Sequence, residues 1–312
     1  MQCLRSIAAT DIQDTGEVIV IDNASFDGSK EIVARFAGIR FVQSEENLGF
    51  AGANNAAYLY AKGDPILFLN PDTQVVDDAL SVMALALHSD VTIGIVGCKL
   101  LNTDGSFQSG CTQPFPTILN QAFDSETLAK GAVDSLPGDD VRFQDVEAIS
   151  GACLMIRRSV FERVGRFSEE YFMYSEDIDL CFKVKLAGFR VCYVPQATVI
   201  HHGGKSSAGT AQSGFSIVLM RESIHLLLRK FRGDTYARGY RCAMLFSALA
   251  RCSLLLCCAA LQTALRRSTY STRNSICKWY RIGAWCMGLE PWARELTFQR
   301  ASRPDTMLGK RS

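Results

Sequence analysis

The stretch Ile66 to Thr73, reading Ile-Leu-Phe-Leu-Asn-Pro-Asp-Thr, constrains the fold more than any other in the chain. Four large apolar residues without alternation suit a β-strand covered on both faces, as in the parallel sheet of an α/β domain. Pro71 cannot donate to a ladder, so the strand has to end at Asn70, and the polar side chains of Asn70 and Asp72 emerge at its carboxyl end. Ligands of open α/β sheets bind at that end. Asp72 is therefore a candidate for chemistry, although Asn-Pro-Asp alone reads equally well as a turn followed by a helix cap.

The residues before it repeat the pattern. Val18-Ile19-Val20-Ile21 is a buried strand ending at Asp22, and Asn-Ala-Ser-Phe-Asp-Gly-Ser is a turn rich in capping residues that leads into helical spacing at Lys30 to Phe36. Ile39 to Val42 is the next strand. Glu46 to Asn55 is small and glycine-bearing and opens a helix that runs through Tyr60. Its Gly49-x-x-Gly52 lacks the first glycine of a dinucleotide fingerprint, and a tight strand-to-helix loop explains it. Alternation at this spacing predicts a parallel, doubly wound half-domain. Further on, Asp78 to His88 is an amphipathic helix, Ile93 begins a strand, and Ala148 to Ile156 returns to strand character before a short helix at Ser159 to Val164. Residues 102–146 are the least regular and have the character of a lid or binding loop.

Two more polar centres follow. In Tyr171 to Leu180, aromatic residues precede Glu176, Asp177 and Asp179 at the start of a helix running to Leu186. Two acids would satisfy the helix dipole, and the surplus beside an aromatic wall is what a carboxylate general base uses. Asp179 also reads as a solvated helix residue. The third centre, His201-His202-Gly203-Gly204, ends an apolar strand. Either histidine suits a metal, and strand alternation allows only one of them to face a site.

Charge divides the chain. Residues 1–220 hold 16 Lys/Arg against 27 Asp/Glu, whereas residues 221–312 hold 17 against 5. An acidic domain over 1–220 with a basic helical tail over 221–312 points to an anionic surface as the tail's partner. Within the tail, Cys242 to Leu265 is 24 residues with one arginine, long enough to span a bilayer. Seven leucines and one phenylalanine contribute about −4 kcal/mol, and Arg251 costs about +3, so insertion is marginal. Ser247, Arg251 and Gln262 share a helical face flanked by Arg238, Arg241, Arg266 and Arg267, which favours a helix lying in the interface, with an amphipathic helix packed on the catalytic domain as the alternative. The basic residues flank an apolar helix without an aromatic platform, which speaks against nucleic acid. The 12 cysteines form no Cys-x-x-Cys pair and no signal peptide precedes them, the pattern of free thiols in a reducing compartment, without zinc.

Six motifs together resemble the inverting family 2 glycosyltransferases of GT-A fold, rhamnosyltransferase-like members above all. They are Ile-Asp-Asn-Ala-Ser (21–25), Glu-Asn-Leu-Gly-Phe-Ala-Gly-Ala-Asn-Asn (46–55), Leu-Asn-Pro-Asp-Thr (69–73), Ser-Gly-Ala-Cys-Leu-Met-Ile-Arg-Arg (150–158), Phe-Met-Tyr-Ser-Glu-Asp-Ile-Asp-Leu-Cys (172–181) and His-His-Gly-Gly-Lys-Ser-Ser (201–207). By that resemblance, Asp22 holds the nucleotide base, and Asn47, Gly49 and Asn54 lie against the nucleotide-sugar. Asn70 and Asp72 stand at the family's Asp-x-Asp motif, Asp72 and His201 bind a divalent cation such as Mg²⁺ or Mn²⁺, and Asp177 is the catalytic base. The resemblance implies transfer of a sugar, rhamnose first, from a nucleotide-diphosphate donor to a lipid-linked or polysaccharide acceptor in cell-wall or polysaccharide biosynthesis. It places the protein in the cytoplasm, peripheral on the inner face of the membrane. The family's first strand has no counterpart, and Met1 to Ile7 resembles the end of the helix after it. That leaves Val18 to Ile21 with an unpaired edge, and the alternative is a remnant that binds sugar nucleotide without catalysis.

Overall fold

The computed structural model describes residues 1–10, 16–123, 143–203 and 214–301. In chain order the elements are α1 (Gln2–Ala8), β1 (Val18–Asn23), α2 (Ser29–Val33), β2 (Ile39–Ser44), α3 (Gly49–Tyr58), β3 (Ile66–Leu69), β4 (Thr73–Val75), α4 (Ala79–His88), β5 (Ile93–Leu101), β6 (Thr112–Gln113), α5 (Ile118–Ala122), β7 (Gln144–Asp145), β8 (Ala148–Ile149), β9 (Cys153–Ile156), α6 (Arg158–Arg163), α7 (Glu176–Leu186) and β10 (Arg190–His201). The tail adds α8 (Gly214–Arg232), α9 (Asp234–Ala264), α10 (Tyr270–Cys286) and α11 (Pro291–Ala301). The chain divides into an α/β unit and a helical unit. The helical one takes in α5 and Glu169–Ser175 together with the tail.

In the α/β unit, β1 and β2 pair in parallel, as their spacing predicts. The main sheet departs from the expected parallel arrangement. Its order is β3-β9-β5-β10-β4, with β9 antiparallel to both neighbours, β10 parallel to β5, and β4 antiparallel to β10. The cause is that β9, a strand much later in the chain, inserts beside β3, a choice local periodicity does not encode. Instead of a uniformly covered strand, β3 buries Ile66 and Phe68 and leaves Leu67 and Leu69 half-buried. The outer edge of β1 has no strand partner among the described residues, and Val18 to Ile21 are only half-buried.

Aromatic packing ties the elements under the site together. Phe68 of β3 stacks obliquely or edge-on against Phe161 at 5.0 Å and Phe167 at 4.7 Å, and Phe50 of α3 meets Phe167 edge-on at 5.7 Å. Such pairs contribute about 0.5–1.5 kcal/mol each beyond their buried area. Buried Asn55 clamps the same loop, donating to the Phe167 carbonyl at 2.9 Å and accepting its N–H at 3.2 Å. At the amino end, α1 packs on β4, where the Val75 N–H donates to Ser6 Oγ at 3.0 Å.

The helical unit is built around Tyr240, Met244, Trp285 and Ile282, all fully buried or nearly so. Trp285 Nε1 donates to buried Glu222 at 2.7 Å. The polar face of α9 turns toward protein. Ser247 donates to the Ala122 carbonyl at 2.7 Å, Arg251 reaches the same oxygen and lies over the Trp279 ring at 4.3 Å, and Gln262 accepts from Thr272. That inverts the expected orientation, in which this face met water. Phe246, Leu249, Leu254, Leu256 and Leu261 are exposed, and α9 is long and apolar enough to cross a membrane with only 11% of its apolar window buried. All twelve cysteines are free.

Candidate active site

Each polar centre sits where a strand or turn of the α/β unit delivers it, and one turn, Ser150 to Ala152, joins two of them. The ladder of β3 with β9 ends at Leu69 opposite Cys153, and the next N–H, that of Asn70, donates to the Ala152 carbonyl at 3.0 Å. One residue earlier, the Gly151 N–H donates to Asp177 Oδ2 at 2.9 Å. A Cβ on Gly151 would stand 3.1 Å from the Phe50 ring and 3.5 Å from Asp177 Cβ. Glycine is what lets α3, the Asp72 strand end and the Asp177 helix meet there.

Asp177 is half-buried, and its Oδ1 also accepts the Ile178 N–H at 2.8 Å. Burial pushes its carboxyl above the usual carboxylate range, against the pull of these N–H donors. Glu176 is buried and held well above its ordinary value by burial and by the Asp177 charge, and its Oε2 has no hydrogen-bond partner among the described residues. Of the adjacent acids, Glu176 is the one whose charged form burial opposes more strongly. Asp179 is not a solvated residue. It is fully buried, accepts from Ser168 Oγ at 2.6 Å and pairs with Lys183 at 3.3 Å, so its work is to anchor α7. The chain enters α7 through two left-handed residues, Tyr174 (φ 72°) and Ser175 (φ 67°).

At the other end of the site, β10 pairs with β4 so that His201 lies opposite Thr73, and the His202 N–H donates to the Asp72 carbonyl at 2.8 Å. Alternation sends the two histidines apart. His201 Nε2 faces Asp72 Oδ1 at 3.3 Å and the Asn70 amide at 3.5 Å, whereas His202 Nδ1 meets Thr103 at 3.1 Å. The hydrogen bond to His201 holds Asp72 below the usual carboxylate range, against its partial burial. Behind His201 stands Gln108, which motif reading does not single out. Its amide nitrogen donates to Asn102 Oδ1 at 3.1 Å and to the His201 carbonyl at 3.4 Å, leaving Oε1 to accept from His201 Nδ1 at 2.8 Å. That engages Nδ1 as the donor side of the ring and leaves Nε2 facing Asp72, the outer-shell arrangement of a metal-binding histidine. Asp72 Oδ1 and His201 Nε2 stand close together as an oxygen-and-nitrogen pair, a donor set that fits a divalent ion. No cluster of three His, Cys, Asp or Glu occurs among the described residues, so other ligands must complete the shell. Asn102, Thr103, Asp104, Gln108, His201 and His202 line an open cavity of about 360 Å³. Gly204 to Ser207 of the last motif lie outside the described residues.

The predicted nucleotide residues shape loops. Burial pushes Asp22 up, but its oxygens accept from Ser25 N–H (2.8 Å), Ser25 Oγ (2.6 Å) and Phe26 N–H (3.2 Å), and the net effect holds it below the usual range. These bonds support left-handed Ala24 and Phe26. Asn47 accepts the Gly49 N–H at 2.9 Å, Gly49 takes φ 64°, and Asn54 donates back to the Phe50 carbonyl within α3. Asn23, which the motif holds but composition does not mark, joins the loops by accepting the Leu48 N–H at 2.7 Å and donating to Asn47 and the Gly49 carbonyl.

Residues 1–165 match the family described as glycosyl transferase family 2, and residues 125–289 match glycosyl transferase family group 2. The chain belongs to glycosyl transferase family 2. This glycosyltransferase is 33% identical over 197 residues to the rhamnosyltransferase WbbL of Escherichia coli, covering 60% of this chain and 72% of that one. It is 29% identical over 212 residues to the N-acetylglucosaminyl-diphospho-decaprenol L-rhamnosyltransferase of Mycobacterium tuberculosis, covering 61% and 67%. A further hexosyltransferase relative, from Haloferax volcanii, is matched over 60% of its length. Among solved structures, the mannosyltransferase PcManGT from Pyrobaculum calidifontis, in complex with GDP-Man and Mn²⁺, aligns with a TM-score of 0.57 at 18% identity, over 91% of this chain and 81% of that one. The fold is GT-A, and within the family the chain is similar to rhamnosyltransferases.

Proposed function

We propose that this glycosyltransferase moves a sugar, rhamnose in the first instance, from a nucleotide-diphosphate donor to a hydroxyl of a lipid-linked or polysaccharide acceptor, with inversion, at the inner face of the cell membrane. The observation that carries the reading is that the Ser150–Ala152 turn bonds both the strand end bearing Asp72 and the carboxylate of Asp177. Asp177, anchored by two backbone N–H groups and desolvated enough to want a proton, takes the proton of the acceptor hydroxyl. Asp72 and His201 would hold Mg²⁺ or Mn²⁺, which supplies positive charge against the diphosphate leaving group. Asn70 presents a neutral amide beside them, and Asn23 sets the Asn47–Gly49 loop that would border the nucleotide. In the Mycobacterium relative the acceptor named is a diphospho-decaprenol. The exposed apolar surface of α9 supports a lipid-linked acceptor and a membrane-facing tail here.

A screen of nucleotide-sugars with Mn²⁺, following nucleoside diphosphate release and the anomeric configuration of the product, tests it. Release from a deoxythymidine-diphosphate rhamnose donor with an inverted product is the expected result. Donor binding without release or product, across all donors, would mean a sugar-nucleotide-binding protein without catalysis.

A further inference from the structure

Within the helical unit, a cavity of about 520 Å³ is walled by cations from three helices. Arg229 and Lys230 come from the end of α8, Arg238 and Arg241 from the first turns of α9, and Arg294 from α11. Their engagements differ. Lys230 pairs with Glu170 at 2.9 Å and Arg229 with Asp234 at 3.8 Å. Arg241 donates to the Trp285 and Cys286 carbonyls and lies over the Trp285 ring at 4.8 Å, which makes it part of the wall. Arg238 and Arg294 pair with no carboxylate among the described residues. His225 also lines the cavity, and its Nδ1 has no hydrogen-bond partner there. Set against Glu170, Glu222 and Asp234, the five cations leave a surplus of two positive charges in a concave site.

We propose that this cavity binds the diphosphate of a lipid-linked acceptor, a reading that rests on the proposed use of such an acceptor. A diphosphate diester carries two negative charges in one compact group, matching the surplus, and guanidinium forks suit phosphate oxygens. A phospholipid headgroup carries about one and meets a flat basic stripe equally well. The helix itself gives the direction of the lipid. About a turn and a half beyond Arg241, the exposed apolar run of α9 begins at Phe246 and continues through Leu249, Leu254, Leu256 and Leu261. A headgroup held between Arg238 and Arg294 therefore has a greasy track for its chain along the same helix.

The test uses the full chain and sedimentation with three kinds of vesicle: neutral phosphatidylcholine, the same doped with a polyprenyl diphosphate, and phosphatidylcholine with phosphatidylglycerol at equal charge. Polyprenyl diphosphate should tighten binding about tenfold over neutral vesicles, and the double variant Arg238→Gln/Arg294→Gln should remove that gain, as expected for two charge-assisted contacts. Soluble inorganic pyrophosphate should compete. Unchanged melting of the variant, whose two side chains are exposed, shows that it is folded. The site is overturned if the variant binds the doped vesicles as the wild type does, if phosphatidylglycerol gives the same gain and the same loss, or if pyrophosphate fails to compete. Donor consumption is read separately. Turnover onto a soluble acceptor with an arginine-independent lipid affinity sinks the site and spares the functional reading. An arginine-dependent diphosphate affinity with no donor consumed does the reverse.

Discussion

Replacing Asp177 by Asn separates the base from everything else the residue does. The carboxylate accepts two backbone N–H groups, from Gly151 at 2.9 Å and Ile178 at 2.8 Å. Asparagine keeps the shape and one acceptor oxygen and gives up one of those bonds, a loss of about 1 kcal/mol. A second effect opposes it. Burial raises the Asp177 carboxyl, so the folded state binds its proton more tightly than the unfolded chain does. Such a group favours folding at low pH, and that contribution is lost as pH rises from the unfolded value through the raised folded one. At neutral pH the wild type therefore carries a desolvation penalty that asparagine lacks. Melting temperature should move by no more than a few degrees, since about 1 kcal/mol shifts it by about 2–4 °C at this size. Transfer should fall at least about 10²-fold, because the acceptor hydroxyl has no base. The wild-type rate should also fall on the acid side of a limb displaced above the ordinary aspartate value, and this limb should vanish in the variant's residual activity. The measurements are nucleoside diphosphate release against pH and a thermal melt of both proteins. Near wild-type turnover, or an unchanged acid limb, refutes the assignment of Asp177.

The metal end gives a graded series by calorimetry with a nucleoside diphosphate and Mn²⁺: Asp72→Ala should weaken metal-dependent binding far more than Asn70→Ala, and equal losses would undo the division of roles. Gln108→Leu should cost about 10–100-fold in the same metal-dependent affinity while leaving metal-free binding unchanged, with Gln108→Glu restoring part of it by keeping an acceptor at His201 Nδ1; an unaffected Gln108→Leu would show that the tautomer does not matter. Thiol labelling reads the tail: exposed Cys257 and Cys258 should react freely in buffer and slow several-fold on adding anionic vesicles, whereas Cys181 and Cys192, buried with their thiols pushed up to about 12, stay silent in the folded protein throughout. Vesicle binding should also weaken as salt rises from about 0.1 to 1 M and the screening length contracts from about 10 to 3 Å; salt-independent binding that survives alkaline extraction would indicate a spanning helix.

Local pattern carries the elements but not their partners. Val18–Ile21, Ile39–Val42 and Ile66–Leu69 are legible as strands because apolar runs bounded by turn residues have few other uses. Nothing in those runs says that β9 comes to lie beside β3, since an antiparallel insertion and a parallel neighbour ask for the same valines and leucines. The same limit governs the site. Asp72, Asp177 and His201 stand out because a carboxylate or imidazole at a strand or helix end is chemically loud. Gln108 in a loop and Asn23 at the end of β1 are uncharged amides, and only the fold shows Gln108 behind an imidazole and Asn23 joining two loops. In α9 the periodicity of Ser247, Arg251 and Gln262 is read correctly as one face. Which side that face meets depends on the Ala122 carbonyl and the Trp279 ring, and both come from other segments.

Gly151 shows how closely the two halves of the reaction are joined. Its N–H holds the proposed base, the neighbouring Ala152 carbonyl holds the end of the strand that carries Asp72, and the space where its Cβ would stand is bounded by Phe50 of the helix behind the Asn47–Gly49 loop. A methyl group there has to push a ring that is packed edge-on against Phe167. The ring cannot retreat without disturbing the Phe68 and Phe161 cluster, while the carboxylate side is closed by Asp177 Cβ itself. Any displacement is therefore shared between the helix that frames the nucleotide loop and the helix that carries the base. A side chain at this position perturbs donor and acceptor chemistry together, although it touches neither substrate, because a single three-residue turn sets the register between them.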